Sequence, residues 1–314
     1  MKATNPPEDE QETEDENALF QAYEDAVNQG DVAAVEAATL QVWQHLAEVK
    51  DDEPSPWRQA MGEAHRCETA FEWPGAIEAY KNAISTSPDQ PMLQSKAHSQ
   101  LAALYGLLDQ NVLASEAARA ATEAARREGI SSLISFALQG EAKLLLQAKN
   151  FPAAWEKMEE AWQVIGAGPM HDLERAYCLT LRGHYFVAVG EPDSADAPLN
   201  AAWKLLEPWA EMFYAGGWQG GLANWWTATA RLRALRGDKD GAVVAWQEAI
   251  ERRRVVSFLP QLEGPYKHNT LAVALWDFGK YQQEIGDPLA SESLEESRSI
   301  RQAIGLPPLV ERDR

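Results

Sequence analysis

Four basic side chains, Lys143, His184, Arg231 and Lys280, follow one another at intervals of 41, 47 and 49 residues. Each stands directly after a small residue: Ala142, Gly183, Ala230 and Gly279. A regularly spaced row of cations has one natural chemistry, the capture of carboxylates through charge-assisted hydrogen bonds. Gln139, Thr180, Thr227 and Trp276 stand four residues before these cations, with Tyr177 and Asn224 three residues further back. On helices these residues share a face with the cations and could supply hydrogen bonds and apolar contact. Catalytic constellations are lacking. The chain has no GxGxxG, no GKS or GKT phosphate loop and no HExxH. The glycines of 216–221 have neither a preceding strand nor a phosphate-binding lysine, and the six histidines lack metal-ligand spacing. Cys67 and Cys178 have no CxxC partner and read as small buried apolar residues. We therefore expect no metal, no cofactor and no enzymatic activity.

The elements that must position these residues are helices. In the stretch from Phe71 to Gln90, Pro74 suits a first helical turn, and Ala76, Ile77, Tyr80, Ala83 and Ile84 form one apolar face. Ser87-Pro88-Asp89 ends it. The same organisation recurs. Turn segments at Gln29-Gly30-Asp31, Phe71-Glu72-Trp73, Asp109-Gln110-Asn111, Lys149-Asn150-Phe151, Gly190-Glu191-Pro192, Arg236-Gly237-Asp238 and Ile285-Gly286-Asp287 precede second helices. Those helices open on Ala76, Ala114, Ala154, Ala195, Ala242 and Ala290, spaced by 38, 40, 41, 47 and 48 residues. Twelve residues before the first five of these alanines stand Ala64, Ala102, Ala142, Gly183 and Ala230, and Gly279 stands eleven before the sixth. The pattern gives seven helix hairpins, at about 17–50, 57–89, 93–128, 131–166, 170–208, 217–256 and 265–305.

This pattern resembles the tetratricopeptide repeat, with a period longer than the usual 34 residues. It is similar to the stretched repeats of kinesin light chains and of several bacterial signalling proteins. The resemblance implies an all-α, right-handed α-solenoid of about seven antiparallel helix hairpins spanning 17–305. The small residues of the first helices would then be the points where the two axes of a hairpin approach to about 8–10 Å. The first helices would line a concave groove. Lys143, His184, Arg231 and Lys280 would form a basic spine along it, nearly free of acids. Gln139, Tyr177, Thr180, Asn224, Thr227 and Trp276 would flank that spine. The implied function is a protein–protein interaction scaffold or adaptor whose partner is a protein or extended peptide with acidic groups. A sensor or regulatory subunit controlling an effector, such as a protease or transcription regulator, is the alternative. The family's carboxylate clamp for chaperone C-termini is not carried over, because Met61 and His65 stand at its positions in the second repeat.

Composition constrains the rest. Of 314 residues, 45% are apolar, which is ample for a large buried core, and the net charge is −20. That balance repels nucleic acid and anionic membranes, so a nucleic-acid-binding solenoid ranks last. Residues 1–16 hold seven acids (Glu8, Asp9, Glu10, Glu12, Glu14, Asp15, Glu16) against one lysine and read as a disordered acidic tail. As a tethered anion, that tail is a candidate intramolecular occupant of the basic groove. Residues 306–314 read as a second tail, the first hairpin as a cap on the stack, and the chain as cytoplasmic. Among the tryptophans, Trp43, Trp155, Trp162, Trp203 and Trp246 fit inter-repeat core. Trp218, Trp225, Trp226, Phe213 and Tyr214 crowd one junction, as core or as a partner anchor.

Overall fold

The computed structural model describes residues 55–166, 171–210, 216–257 and 265–309, together with a few isolated positions between 21 and 41. Within these, twelve helices form six consecutive hairpins. They are α1 (Pro56–Thr69) with α2 (Trp73–Ser85), α3 (Pro91–Leu107) with α4 (Asn111–Glu128), and α5 (Ser131–Gln147) with α6 (Phe151–Val164). They continue as α7 (Asp172–Ala188) with α8 (Pro192–Leu206), α9 (Gly216–Leu235) with α10 (Lys239–Ser257), and α11 (Pro265–Ile285) with α12 (Ala290–Ala303). Among the described residues no strand occurs and no helix is long and apolar enough to cross a membrane.

Each hairpin is closed by the same device. One residue enters the left-handed region: Phe71, Asp109, Lys149, Gly190, Gly237 and Gly286, with φ between 57° and 79°. The next residue's N–H then reaches back five positions to a carbonyl of the first helix, as in Glu72 to Cys67, Asn150 to Leu145 and Asp287 to Gln282, at 2.8–2.9 Å. This backbone closure caps the helix end that would otherwise leave carbonyls unsatisfied. Three hairpins place a residue with a Cβ where glycine is favoured. Lys149→Gly is therefore expected to raise stability by about 0.5–1 kcal/mol, read as a higher midpoint in chemical denaturation.

The two helices of each hairpin meet on small residues. Ala64, Ala76, Ala114, Ala142, Ala154, Ala195, Ala230 and Ala242 have no exposed surface. Glycine replaces alanine where the opposing side chain comes closest: a Cβ on Gly183 would lie 2.4 Å from Leu199, and one on Gly279 would lie 2.7 Å from Leu294. Each second helix packs on the next first helix, and the first helices α3, α5, α7 and α9 also touch in succession. The first helices thus form one continuous inner wall, with the second helices outside it.

Two features depart from an open stack. The first hairpin, expected as a cap on α1, is described only at isolated positions. Among these, Ala26 is buried and packs with half-buried Ala34 against Leu173, Ala176, Leu206, Trp209, Trp218 and Leu222, in the α7–α9 region. Ala26 and Ala34 therefore lie against the middle of the stack. At the other end, Ile304 and Leu306 are buried in the core of the α1–α2 hairpin, and Gly305 lies against Phe71 and Trp73. Arg301 holds this segment by donating to the Pro307 carbonyl at 2.6 Å. Leu306 is thus not part of a free tail; the two ends of the described stack meet. Residues 1–16, Trp43 and 310–314 lie outside the described residues.

Candidate functional site

The inner wall gathers its charge around a residue the periodicity did not nominate, Arg253. The helix α10 runs for 19 residues, against 13 to 18 for the other second helices. Its last turns carry three consecutive arginines, which a helix must splay about 100° apart. Arg252 donates to the Ala210 carbonyl and to Gln219 Oε1. Arg254 grips both carboxylate oxygens of Glu296 at 2.8 Å. Arg253 points between them onto α9 and donates to Asn224 Oδ1 at 3.1 Å and Thr227 Oγ1 at 3.2 Å.

Lys143, Tyr177, His184 and Arg231 surround this guanidinium closely enough that their charges act on one another. Lys143 and Arg231 are exposed to solvent, yet Lys143 behaves electrostatically as an enclosed group. That combination describes a concave wall, reached by water but flanked by protein. Lys143 is pushed below the usual lysine range by this enclosure and then by Arg253. Arg253 itself is lowered to about 10, first by burial. Burial raises the Tyr177 phenol to about 12.

His184 departs furthest from expectation. Burial, then Arg231 and Arg253, and to a lesser degree Lys143 push its imidazole down to about 3, against an opposing backbone hydrogen bond at Asn224. It is therefore neutral at physiological pH and adds no charge to the spine. An unfolded histidine titrates near 6.5, so between about 3 and 6.5 the unfolded chain binds the extra proton. The contribution of His184 to stability is complete above 6.5 and declines as pH falls towards 3. Thermal melts of the wild type and His184→Gln between pH 7.5 and 5 should show the steeper acid loss in the wild type.

The remaining sequence-nominated residues divide. Asn224 and Thr227 hold Arg253 in place. Thr227 and Thr180, at 7% and 2% exposure, are buried and cannot meet a ligand. Gln139 donates to Ser135 Oγ at 2.9 Å and turns towards Glu174 of α7. Trp276 and Lys280 are half-buried on α11. The expectation of a wall nearly free of acids needs correction there, because Asp277 of α11 pairs with Arg231. Arg231 also lies over the Trp246 ring at 6.0 Å.

Among the described junction aromatics, Trp218 is core, and Trp225 and Trp226 are half-buried and packed on other aromatic rings. Trp209 and Trp218 are buried and stacked at 4.8 Å beneath Ala26. Trp203, Trp225 and Trp226 pack together with centroids 4.5–5.9 Å apart, and Trp225 Nε1 donates to the Leu199 carbonyl at 2.7 Å. Phe213 and Tyr214 lie outside the described residues. Among the described residues no group of histidine, cysteine, aspartate or glutamate side chains could hold a metal, and both cysteines are buried with free thiols.

No protein-family model matches the chain, and no curated protein matches it in sequence. Solved structures do match in shape. A Rap protein complexed with Competence and Sporulation Factor aligns over 93% of this chain and 99% of its own, with a TM-score of 0.56 at 11% identity. The apo form of the quorum sensor NprR from B. thuringiensis aligns over 92% and 98%, with a TM-score of 0.47 at 13% identity. BtubC (BKLC) from P. vanneervenii aligns over 80% and 96%, with a TM-score of 0.46 at 18% identity. The fold comparison rests on the first of these, together with the six closed hairpins and their small-residue contacts: the chain has the all-α fold of tetratricopeptide-like helical-repeat proteins.

Proposed function

We propose that the protein is a non-catalytic binding module whose inner wall holds an extended protein segment bearing carboxylates. One observation carries this reading. Among the described residues three cations, Lys143, Arg231 and Arg253, stand against one carboxylate, Asp277, around His184, which burial first and these charges second keep neutral. Their mutual repulsion is relieved by an anion. A bound carboxylate would also push the His184 pKa back up towards its ordinary value. The structure of the same fold that holds Competence and Sporulation Factor lends general support.

The test uses a fluorescein-labelled peptide copying residues 1–16 and a counterpart with every acid replaced by its amide. Anisotropy at low salt should show binding of the first only, weakening as salt rises. Lys143→Glu with Arg231→Glu should weaken that binding and flatten its salt dependence; unchanged affinity would move the site elsewhere. The tethered copy of this segment would act as an internal competitor at millimolar-scale effective concentration. Deleting residues 1–16 should then raise the apparent affinity, and no change at low salt would reject the internal contact.

A further inference from the structure

Beside the cation cluster, the helix α5 presents a bare stripe. Phe136, Gly140 and Lys143 are spaced by four and three residues, which puts them on one helical face. The buried residues Ala137, Leu138 and Ala142 occupy the other face. Phe136 is 64% exposed, which makes it a large aromatic ring standing in water on the inner wall. Gly140, one turn on, sits in the helix interior, where glycine is less stable than alanine. Close packing is the usual reason for such a glycine, as where Gly183 meets Leu199 and Gly279 meets Leu294. A Cβ on Gly140 would meet nothing within 4 Å. The exposed Lys96 and Ala103 of the neighbouring helix α3 add a further cation and another small side chain.

We infer that Phe136, Gly140 and Lys143 form the specificity-determining part of the inner wall, and that it selects an acidic peptide with an apolar side chain about three residues from a carboxylate. This rests on the acidic-segment reading above. The bare backbone at Gly140 lets a ligand chain lie close to the helix. Phe136 then covers the ligand's apolar side chain, and Lys143 takes the carboxylate. Lys143 stands seven helical positions after Phe136, a rise of roughly 10 Å. An extended ligand advances about 3.3 Å per residue, so the two anchored groups stand roughly three residues apart. Free amino acids and single carboxylates cannot use both ends of the stripe. Charge decides the commitment to an acidic partner, because the cations beside the stripe repel a basic one.

The experiment uses the full-length protein and labelled twelve-residue Gly/Ser peptides with three glutamates. One leucine is placed one to five residues from the nearest glutamate, on either side, and a leucine-free peptide serves as reference. Affinity should peak near a separation of three, at least tenfold above the reference. Phe136→Ala should erase that gain and leave the reference peptide's affinity unchanged. Gly140→Leu should weaken every leucine peptide while the circular dichroism stays the same and the melting temperature is equal or higher, since the new side chain enters open space. Equal affinity for all separations and for the reference would overturn the inference and leave the acidic-segment reading standing. Failure of every acidic peptide to bind would remove both, and wild-type behaviour of Gly140→Leu would remove the close approach at that glycine.

Discussion

Arg253→Glu is expected to lower affinity for an acidic peptide by more than a hundredfold, the largest binding effect in the molecule. Removing one partner from an enclosed, hydrogen-bonded charge site typically costs 2–5 kcal/mol, and here the new carboxylate also repels the ligand. Arg253→Lys should fall between the two, because an ammonium lacks the planar fork that reaches Asn224 and Thr227 together. Some stability is lost as well: Asn224 and Thr227 lose a shared donor, a penalty of about 1–3 kcal/mol. Relief of repulsion with Arg231 works in the opposite direction. Titration calorimetry for affinity and a thermal melt for folding separate the two effects. Near-wild-type affinity in a folded Arg253→Glu protein would place the anion elsewhere.

The largest effect on folding is expected at Trp225. Its ring packs on Trp203 at 4.5 Å and Trp226 at 4.8 Å, and its N–H is bonded to the Leu199 carbonyl. It also packs against the buried cluster of Ala195, Leu199, Ala228 and Leu232. Trp225→Ala removes a side chain that ties α9 to α8 across a repeat boundary, and should destabilise the protein by about 3–5 kcal/mol. Trp225→Phe keeps most of the packing and loses the hydrogen bond, so its effect should be near 1 kcal/mol. Urea titrations followed by tryptophan fluorescence and by circular dichroism check both. A Trp225→Ala midpoint within error of wild type would mean the tryptophan cluster contributes little.

The hairpins were legible because their signals are local and repeated. The turns, the small residues at the axis contact and the prolines at helix starts all act within about twenty residues, and each recurs several times along the chain. Even there, the left-handed conformation of Phe71 and Lys149 is imposed by the closing hydrogen bond rather than announced by residue type. The site was legible only along the first helices. Lys143, Tyr177, His184, Asn224 and Arg231 were nominated from spacing and do converge. Arg253 was missed because a run of three arginines on a second helix reads as a solvated face. Helix length gave no signal either, since α4 at 18 residues is nearly as long as α10 at 19. Charge state was not legible at all. His184 counts as a cation by type, and enclosure beside three stronger bases makes it neutral. The placement of Ala26 against α7–α9 and the meeting of the two ends depend on contacts between residues about 150 to 230 apart, which no local pattern encodes.

The seating of Ile304, Gly305 and Leu306 against Phe71 and Trp73 turns a spring into a clasp. An ordinary repeat array stretches and recoils because its termini are independent, and cargo can be laid in from the side. A peptide held on the inner wall as proposed would then be encircled. It would have to thread lengthwise or wait for the clasp to part, so a peptide with bulky folded domains at both ends should load far more slowly than the same peptide with one end bare.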